Sequence, residues 1–281
     1  MFQAIIDPAS AGRLLGDQRC LFMDCRFVMR EPDQGETEYR QSHIPGALYA
    51  HLDRDLSGRM LPGRTGRHPL PDPQALVRTF SRWGIEDDTR VIAYDDSTGA
   101  MAAARLWWML KWAGHDAVAV LDGGFQRWKA AALPCSSDPV ERQPRDFHAA
   151  FRPGMAVDAD QVLSRLGDPA WIVLDARGAD RFRGENETID PVAGHIRGAH
   201  SAPYVDSLGP EAAFKSVEEV RTRLDALSGG RDAEHTVLYC GSGVTAAHLA
   251  LAFAHAGKGV PRLYPGSWSD WITDPRRPIE S

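Results

Sequence analysis

Short apolar runs alternate with longer helix-like stretches along the whole chain. Residues 21–23 and 171–174 are apolar, and each run ends in an Asp-x-Arg sequence. This pattern is typical of a buried strand whose end carries polar groups. Segments 100–112 and 246–256 are rich in Ala and in large apolar residues and are predicted to be helices packed on a sheet. Strand followed by helix, repeated, predicts an α/β fold with a parallel sheet flanked by helices.

The same elements occur twice in the same order. The matching segments are 21–26 with 171–177, 43–47 with 195–199, 90–94 with 236–239, and 121–128 with 263–271. Four ordered matches indicate two copies of one domain. We therefore predict a first domain at residues 1–137, a polar, Pro-rich linker at 138–152, and a second domain at 153–281.

Composition narrows the function classes. The chain has 281 residues, of which 43% are hydrophobic and 25% charged, as expected for two ordinary globular domains. A formal net charge of −6 argues against a nucleic-acid binder but allows a local basic pocket for a small anion. The start shows no secretory signal, and no run approaches the roughly 20 apolar residues that span a bilayer. We expect a cytoplasmic protein with no membrane or nucleic-acid partner.

Four cysteines are present: Cys20, Cys25, Cys135 and Cys240. They form no CxxC pair and no metal-ligand spacing, so neither a disulfide framework nor a metal site is predicted. In a reducing compartment all four are expected to be free thiols. Only Cys240 lies in a segment typical of a reactive cysteine; the other three are predicted to be structural or incidental.

The segment around Cys240 combines a strand, a glycine-rich turn and a helix. An apolar strand leads into Cys240, Gly241 and Gly243 allow a sharp turn, and a helix is predicted from about Thr245. Several backbone N–H groups would then point at one place beside the positive end of the helix dipole. Such a site favours the thiolate, which is the nucleophilic form of cysteine. The alternative is a buried cysteine that acts only as a small hydrophobic residue.

The sequence Cys-Gly-Ser-Gly-Val-Thr, at residues 240–245, closely resembles the active-site loop of 3-mercaptopyruvate sulfurtransferases in the rhodanese superfamily. The resemblance covers nearly the whole chain, including the segments 43–47, 181–184 and 266–271. It implies two similar α/β domains, the first of which is an inactive copy. Asp95 agrees with this, because it stands where the second copy has Cys240 and a carboxylate cannot carry a sulfane sulfur.

The resemblance also implies a reaction. Cys240 would take sulfur from 3-mercaptopyruvate, release pyruvate and hold the sulfur as a persulfide. A thiol such as thioredoxin, or cyanide in an assay, would then accept it, and no cofactor would be needed. The loop residues Gly241, Ser242, Gly243, Val244 and Thr245 would hold the thiolate and the donor.

Further site residues follow from the resemblance. Ser242 is expected to transfer protons together with a histidine and an aspartate of the first domain. His43 fits this histidine by its sequence context, and Asp33 is a candidate third member whose spacing matches less well. The alternative for His43 is a local packing role, since His195 occupies the same place in the second copy.

Arg181 matches an arginine that binds the donor's carboxylate in the family. The alternative for Arg181 is a surface salt bridge, and Arg183 is the nearby second candidate. The sequence departs from the family in one respect, because segment 185–194 lacks the second arginine that mercaptopyruvate enzymes often carry there. Arg197 lies just beyond this segment, without an assigned role.

Three other functions compete. Thiosulfate is the nearest alternative donor, but thiosulfate-type enzymes usually have basic residues directly after the cysteine, where this chain has Gly241 and Ser242. A phosphatase would need an arginine six positions after the cysteine, where this chain has Ala246. A non-catalytic persulfide carrier is the third alternative.

Overall fold

A computed structural model describes residues 3–209 and 212–281. The described chain divides into two compact units. The first comprises residues up to 58, 71–152 and a short piece at 212–213, so that the predicted linker at 138–152 lies within it. The second comprises residues 59–70, 153–209 and 214–281. No helix in the described residues is long and apolar enough to cross a membrane.

A parallel sheet forms the centre of the first unit, with five strands among the residues described. Its strands in chain order are β1 (Ile5–Ile6), β2 (Cys20–Asp24), β3 (Leu48–Tyr49), β4 (Arg90–Tyr94) and β5 (Val118–Leu121). Their order across the sheet is β1-β5-β4-β2-β3. The helices are α1 (Pro8–Gly12), α2 (Gln34–Gln41), α3 (Pro73–Arg82), α4 (Ala103–Trp112) and α5 (Gly124–Ala130).

The second unit repeats this arrangement in a smaller form. Its strands are β6 (Ile172–Asp175), β7 (His195–Ile196), β8 (His200–Ser201), β9 (Thr236–Tyr239), β10 (Arg262–Leu263) and β11 (Ile279–Glu280). The parallel order is β10-β9-β6-β8, while β7 and β11 form an antiparallel pair. The helices are α6 (Ala159–Leu163), α7 (Ala179–Phe182), α8 (Val217–Ser228), α9 (Thr245–His255) and α10 (Ser267–Trp271).

The central strand pairs of the two sheets, β2 with β4 and β6 with β9, have the same register. Asp24 pairs with Tyr94 between β2 and β4, and Asp175 pairs with Tyr239 between β6 and β9. The Tyr94 hydroxyl accepts the N–H of Ile44 at 3.1 Å, and the Tyr239 hydroxyl accepts that of Ile196 at the same distance. The prediction of two similar α/β domains, each with a parallel sheet flanked by helices, is confirmed.

The repeated Asp-x-Arg sequence forms a buried ion pair at the end of a strand in each unit. Arg26 donates to both carboxylate oxygens of Asp24, and Arg177 does the same with Asp175. All four side chains are at most 5% exposed. Removing one partner of such a pair would leave the other charge buried without compensation, so in each copy the two residues depend on each other.

Candidate active site

The loop after β9 holds the Cys240 thiol against the backbone. Cys240 is 1% exposed, and its Sγ accepts the N–H of Gly243 at 3.2 Å. Gly243 has a φ of +77°, and an added Cβ would lie 2.4 Å from the carbonyl oxygen of Pro265. Both the left-handed backbone and the lack of space require glycine here. The tight turn predicted from Gly241 and Gly243 is therefore present.

Segment 264–269 holds the cysteine loop in place through hydrogen bonds. The Ser267 hydroxyl accepts the N–H of Cys240 at 3.1 Å and donates to the carbonyl of Tyr264 at 2.9 Å. The N–H groups of Trp268 and Ser269 donate to the carbonyls of Cys240 and Gly241, at 2.9 and 3.0 Å. Ser267 has a φ of +56°, an unfavourable conformation for a residue with a side chain. The surrounding hydrogen bonds hold it there, and with it the backbone of the cysteine.

Helix α9 begins directly after the loop. Thr245 is its first residue and is half-buried, while Ser242 and Val244 are buried. The positive end of the helix dipole therefore lies at the loop that carries the thiol, and it favours negative charge there. The described loop brings together Cys240, Gly241, Ser242, Gly243, Val244 and Thr245, whereas His43 and Arg181, the other residues assigned to the site from the sequence, lie outside it.

Ser242 has a partner that the sequence analysis missed. Its Oγ lies 2.8 Å from Nδ1 of His68, and both side chains are buried. His68 belongs to segment 59–70, which forms part of the second unit although it precedes α3 of the first. One feature of the sequence indicates this segment. The number of residues between equivalent positions of the two copies falls from 152 at His43 to 145 at Tyr94. The first copy therefore carries extra residues between these positions, and unrepeated loops often carry function.

Arg181 is held by internal carboxylates. Its Nε and Nη2 donate to Glu187 at 3.0 and 2.9 Å, and Nη2 also donates to Asp190 at 3.0 Å. Burial works against the charge of Glu187, but the N–H groups of Asp190 and Ile189 and the Arg181 guanidinium outweigh it. The pKa of Glu187 therefore lies below its ordinary value. Arg183, the second candidate, is exposed and paired with Glu185.

His43 lies in the first unit, where it makes the same contacts as its copy. Its Nδ1 is 2.7 Å from the carbonyl oxygen of Tyr39, and its ring stacks on that of Tyr39 at 4.3 Å. His195 is likewise 2.8 Å from the carbonyl of Phe182 and stacks on its ring at 3.7 Å. This shared geometry supports local packing, and the catalytic role of His43 stays a prediction. Asp33 is 88% exposed beside helix α2.

The remaining cysteines lie in different surroundings. Burial raises the pKa of Cys20 to about 11 and that of Cys25 well above its ordinary value. Both therefore stay protonated near neutral pH, which suits a structural role. Cys135 is exposed. Among the described residues, no group of His, Cys, Asp and Glu side chains could hold a metal ion.

Comparison with known proteins assigns the fold and the loop to a family. The model of the rhodanese-like domain matches twice, at residues 7–131 and 158–274. The chain belongs to the rhodanese family. It is 48% identical over 266 residues to a Pseudomonas aeruginosa protein named "Probable 3-mercaptopyruvate sulfurtransferase", with 94% of this chain and 93% of that protein covered. It is 33% identical to the thiosulfate sulfurtransferase of Mus musculus, with 95% and 89% covered.

A solved structure of this family has the same fold. The 3-mercaptopyruvate sulfurtransferase from Leishmania major superimposes with a TM-score of 0.86 at 34% identity. The match covers 99% of this chain and 76% of that one. Both rhodanese-like copies of the chain are thus accounted for by the family, and the loop at Cys240 lies in the second of them.

Proposed function

We propose that this protein is a sulfurtransferase that takes sulfur from 3-mercaptopyruvate and carries it as a persulfide on Cys240. The observation that carries the proposal is the Cys240 Sγ, held by the Gly243 N–H at the start of α9. The names of the family relatives support the donor and the reaction class. Cys240, Ser242 and His68 are the proposed catalytic residues.

The geometry suits attack on sulfur. The Cys240 thiolate attacks the sulfur of 3-mercaptopyruvate, and a sulfur–sulfur bond forms as the carbon–sulfur bond breaks. The electron pair of the broken bond passes to the methylene carbon, and the resulting enolate takes up a proton to become pyruvate. The Gly243 N–H and the helix dipole stabilise negative charge on the attacking sulfur before the step and on the persulfide after it.

We assign the delivery of that proton to Ser242 and His68. The Ser242 hydroxyl lies two residues after the cysteine and 2.8 Å from the imidazole Nδ1. Depending on the tautomer, the imidazole either accepts the hydroxyl proton or donates its own, so the pair is able to relay a proton. Both groups are buried, which favours a direct transfer between them.

An acceptor thiol completes the cycle. Its thiolate attacks the outer sulfur of the persulfide, takes that sulfur as its own persulfide and releases the Cys240 thiolate. A protein thiol such as thioredoxin, a small thiol, or cyanide in an assay fits this step. Thiosulfate is the second candidate donor, because a relative at 33% identity bears that name. We place the reaction in the cytoplasm.

The proposal is tested by loading the protein with sulfur. Incubation of the wild type with one equivalent of 3-mercaptopyruvate and no added acceptor is expected to release about one pyruvate per protein and to add one sulfur atom to the Cys240 peptide. Adding a thiol should then restore continuous turnover. Mass spectrometry and pyruvate assays measure both. A protein that loads once and does not turn over with any small thiol would be a carrier, and faster turnover with thiosulfate would reassign the donor.

The role of Ser242 and His68 predicts a donor-dependent loss. Ser242→Ala and His68→Asn are each expected to lower kcat with 3-mercaptopyruvate by about 10²-fold, because proton delivery to the departing carbon is lost. Turnover with thiosulfate, whose leaving sulfite needs no such proton on carbon, should fall much less. Steady-state assays with both donors make this comparison. Equal losses with both donors would instead indicate a structural role for the pair.

A further inference from the structure

Two arginine side chains reach the same point beside the cysteine loop. A Cβ added to Gly241 would lie 2.8 Å from Nη2 of Arg67, 3.6 Å from Nη1 of Arg181 and 3.8 Å from its Nη2. Gly241 directly follows Cys240, so both guanidinium groups lie next to the residue that carries the thiol. Arginine presents several N–H donors in a plane and suits a carboxylate or another oxyanion.

Of the three arginine nitrogens near Gly241, one from each arginine forms no hydrogen bond within the described residues. Arg67 donates from Nη1 to Asp190, and its backbone N–H donates to the Ser269 hydroxyl at 3.0 Å. Its buried Nε has no partner in the described residues. Within the same residues, Nη2 of Arg67 and Nη1 of Arg181 make no hydrogen bond, whereas Nε and Nη2 of Arg181 do. Two donor groups therefore remain for a ligand at this place.

Asp190 links the two arginines. Its Oδ1 accepts from Arg67 and its Oδ2 accepts from Arg181, and its side chain is 2% exposed. A single buried carboxyl group thus sets the position of both guanidinium groups. With Glu187 also bound to Arg181, two acidic side chains balance two basic ones. The positive charge of the two arginines is therefore already compensated by Asp190 and Glu187 before a sulfur donor binds.

We propose that Arg67 binds the donor anion together with Arg181, and that Asp190 limits the affinity of this site and sets its preference for donor charge. Arg67 thereby supplies the second guanidinium that segment 185–194 lacks. Asp190 compensates part of the charge of both arginines and repels a dianion more strongly than a monoanion. Thiosulfate is a dianion, whereas the carboxylate of 3-mercaptopyruvate carries one charge. This inference rests on the proposed function, since it concerns the donor of that reaction.

Replacement of Arg67 tests the binding role. Arg67→Gln is expected to raise the KM for 3-mercaptopyruvate by about 10- to 100-fold, because a hydrogen bond to a charged group is lost, while kcat changes little. Arg67→Lys keeps the charge but not the fork and should fall between the wild type and Arg67→Gln. Arg183→Gln is the matched control, since Arg183 is exposed and paired with Glu185. An unchanged KM in Arg67→Gln would overturn the proposal.

Replacement of Asp190 tests whether this residue limits donor affinity, and here KM is expected to fall rather than rise. Asp190→Asn is expected to lower the KM for both donors, by about threefold for 3-mercaptopyruvate and about tenfold for thiosulfate, because one compensating charge is removed. A residue that merely supported the fold would raise KM or lower kcat when replaced. A higher KM for either donor in Asp190→Asn would contradict the proposal that the charge of Asp190 limits donor affinity.

The two hypotheses fail in distinguishable ways. If the wild type releases no pyruvate and gains no sulfur on Cys240, the proposed function itself is wrong. If the wild type transfers sulfur but Arg67→Gln and Asp190→Asn behave like Arg183→Gln, only the donor site is wrong. The double variant Arg67→Gln/Asp190→Asn adds a further check: its change in kcat/KM should differ from the sum of the single changes in free energy, since the two side chains are in contact.

Discussion

Cys240→Ser is expected to abolish sulfur transfer with both 3-mercaptopyruvate and thiosulfate. A hydroxyl in place of the thiol is a poor nucleophile toward sulfur and cannot hold a sulfane sulfur as a persulfide. The decrease in kcat should be about 10³-fold or more, down to the background of the assay. Pyruvate release and thiocyanate formation measure it, and mass spectrometry should find no added sulfur on the variant.

The exposed Cys135 supplies the control for this prediction. Cys135→Ser removes a thiol that lies in the first unit and is predicted to have no part in the chemistry, so its kcat should equal that of the wild type. Fluorescence of the eight tryptophans compares the folding of both variants with the wild type. Sulfur transfer that survives in Cys240→Ser would show that the reaction uses another group.

The internal repeat made most of the fold predictable. The sequence predicts a buried strand that ends in Asp-x-Arg in each copy, and β2 and β6 both end at that aspartate. The alignment of Asp95 with Cys240 holds in the structure, because Tyr94 and Tyr239 pair with equivalent aspartates of the neighbouring strands. Each strand and helix has its own hydrophobic pattern. A repeat of these patterns in the sequence therefore predicts a repeat of the same elements in the structure.

The side chains around the loop were less predictable. His68 lies 174 residues from Ser242 in the sequence, and Arg67 lies 123 residues from Asp190. Both come from a region where the first copy has more residues than the second, so neither periodicity nor the repeat indicates where it packs. The charges of Glu187 and Asp190 were visible, but their pairing with Arg181 depends on a turn conformation that composition does not specify.

Asp95 shows what the first copy does with the same loop. Its carboxyl is fully buried and accepts four backbone N–H groups: Oδ1 those of Ser97 and Gly99, at 2.9 and 2.8 Å, and Oδ2 those of Met101 and Ala103, at 3.1 and 3.2 Å. In the first copy, the backbone N–H groups of the loop that corresponds to the Cys240 loop are thus bound by the Asp95 side chain. Asp95 therefore fixes the conformation of this loop, and the four N–H groups that it binds are not available to an external anion.

Asp95→Ala is accordingly expected to lower the free energy of unfolding of the first unit by about 3–5 kcal/mol. The substitution leaves four N–H groups without their acceptor, and each buried unsatisfied group costs about 1–3 kcal/mol before the loop relaxes. Denaturant unfolding followed by tryptophan fluorescence measures the loss, since most tryptophans lie in this unit: Trp83, Trp107, Trp108, Trp112 and Trp128. The neighbouring Asp96, which is only partly buried, supplies Asp96→Asn as the control.

The same carboxyl gives this unit a pH-dependent stability. Burial raises the pKa of Asp95 from 3.8 to about 6, although the N–H groups of Ala103, Ser97, Gly99 and Met101 act in the opposite direction. The folded protein then binds the proton more tightly than the unfolded chain, so the stability linked to this proton is complete below pH 3.8 and is lost as the pH rises to about 6. The advantage of the wild type over Asp95→Asn should therefore shrink by about 1 kcal/mol between about pH 5 and pH 7. A difference that stays constant between pH 5 and pH 7 would mean that the four N–H groups outweigh burial and that Asp95 is held as a carboxylate throughout.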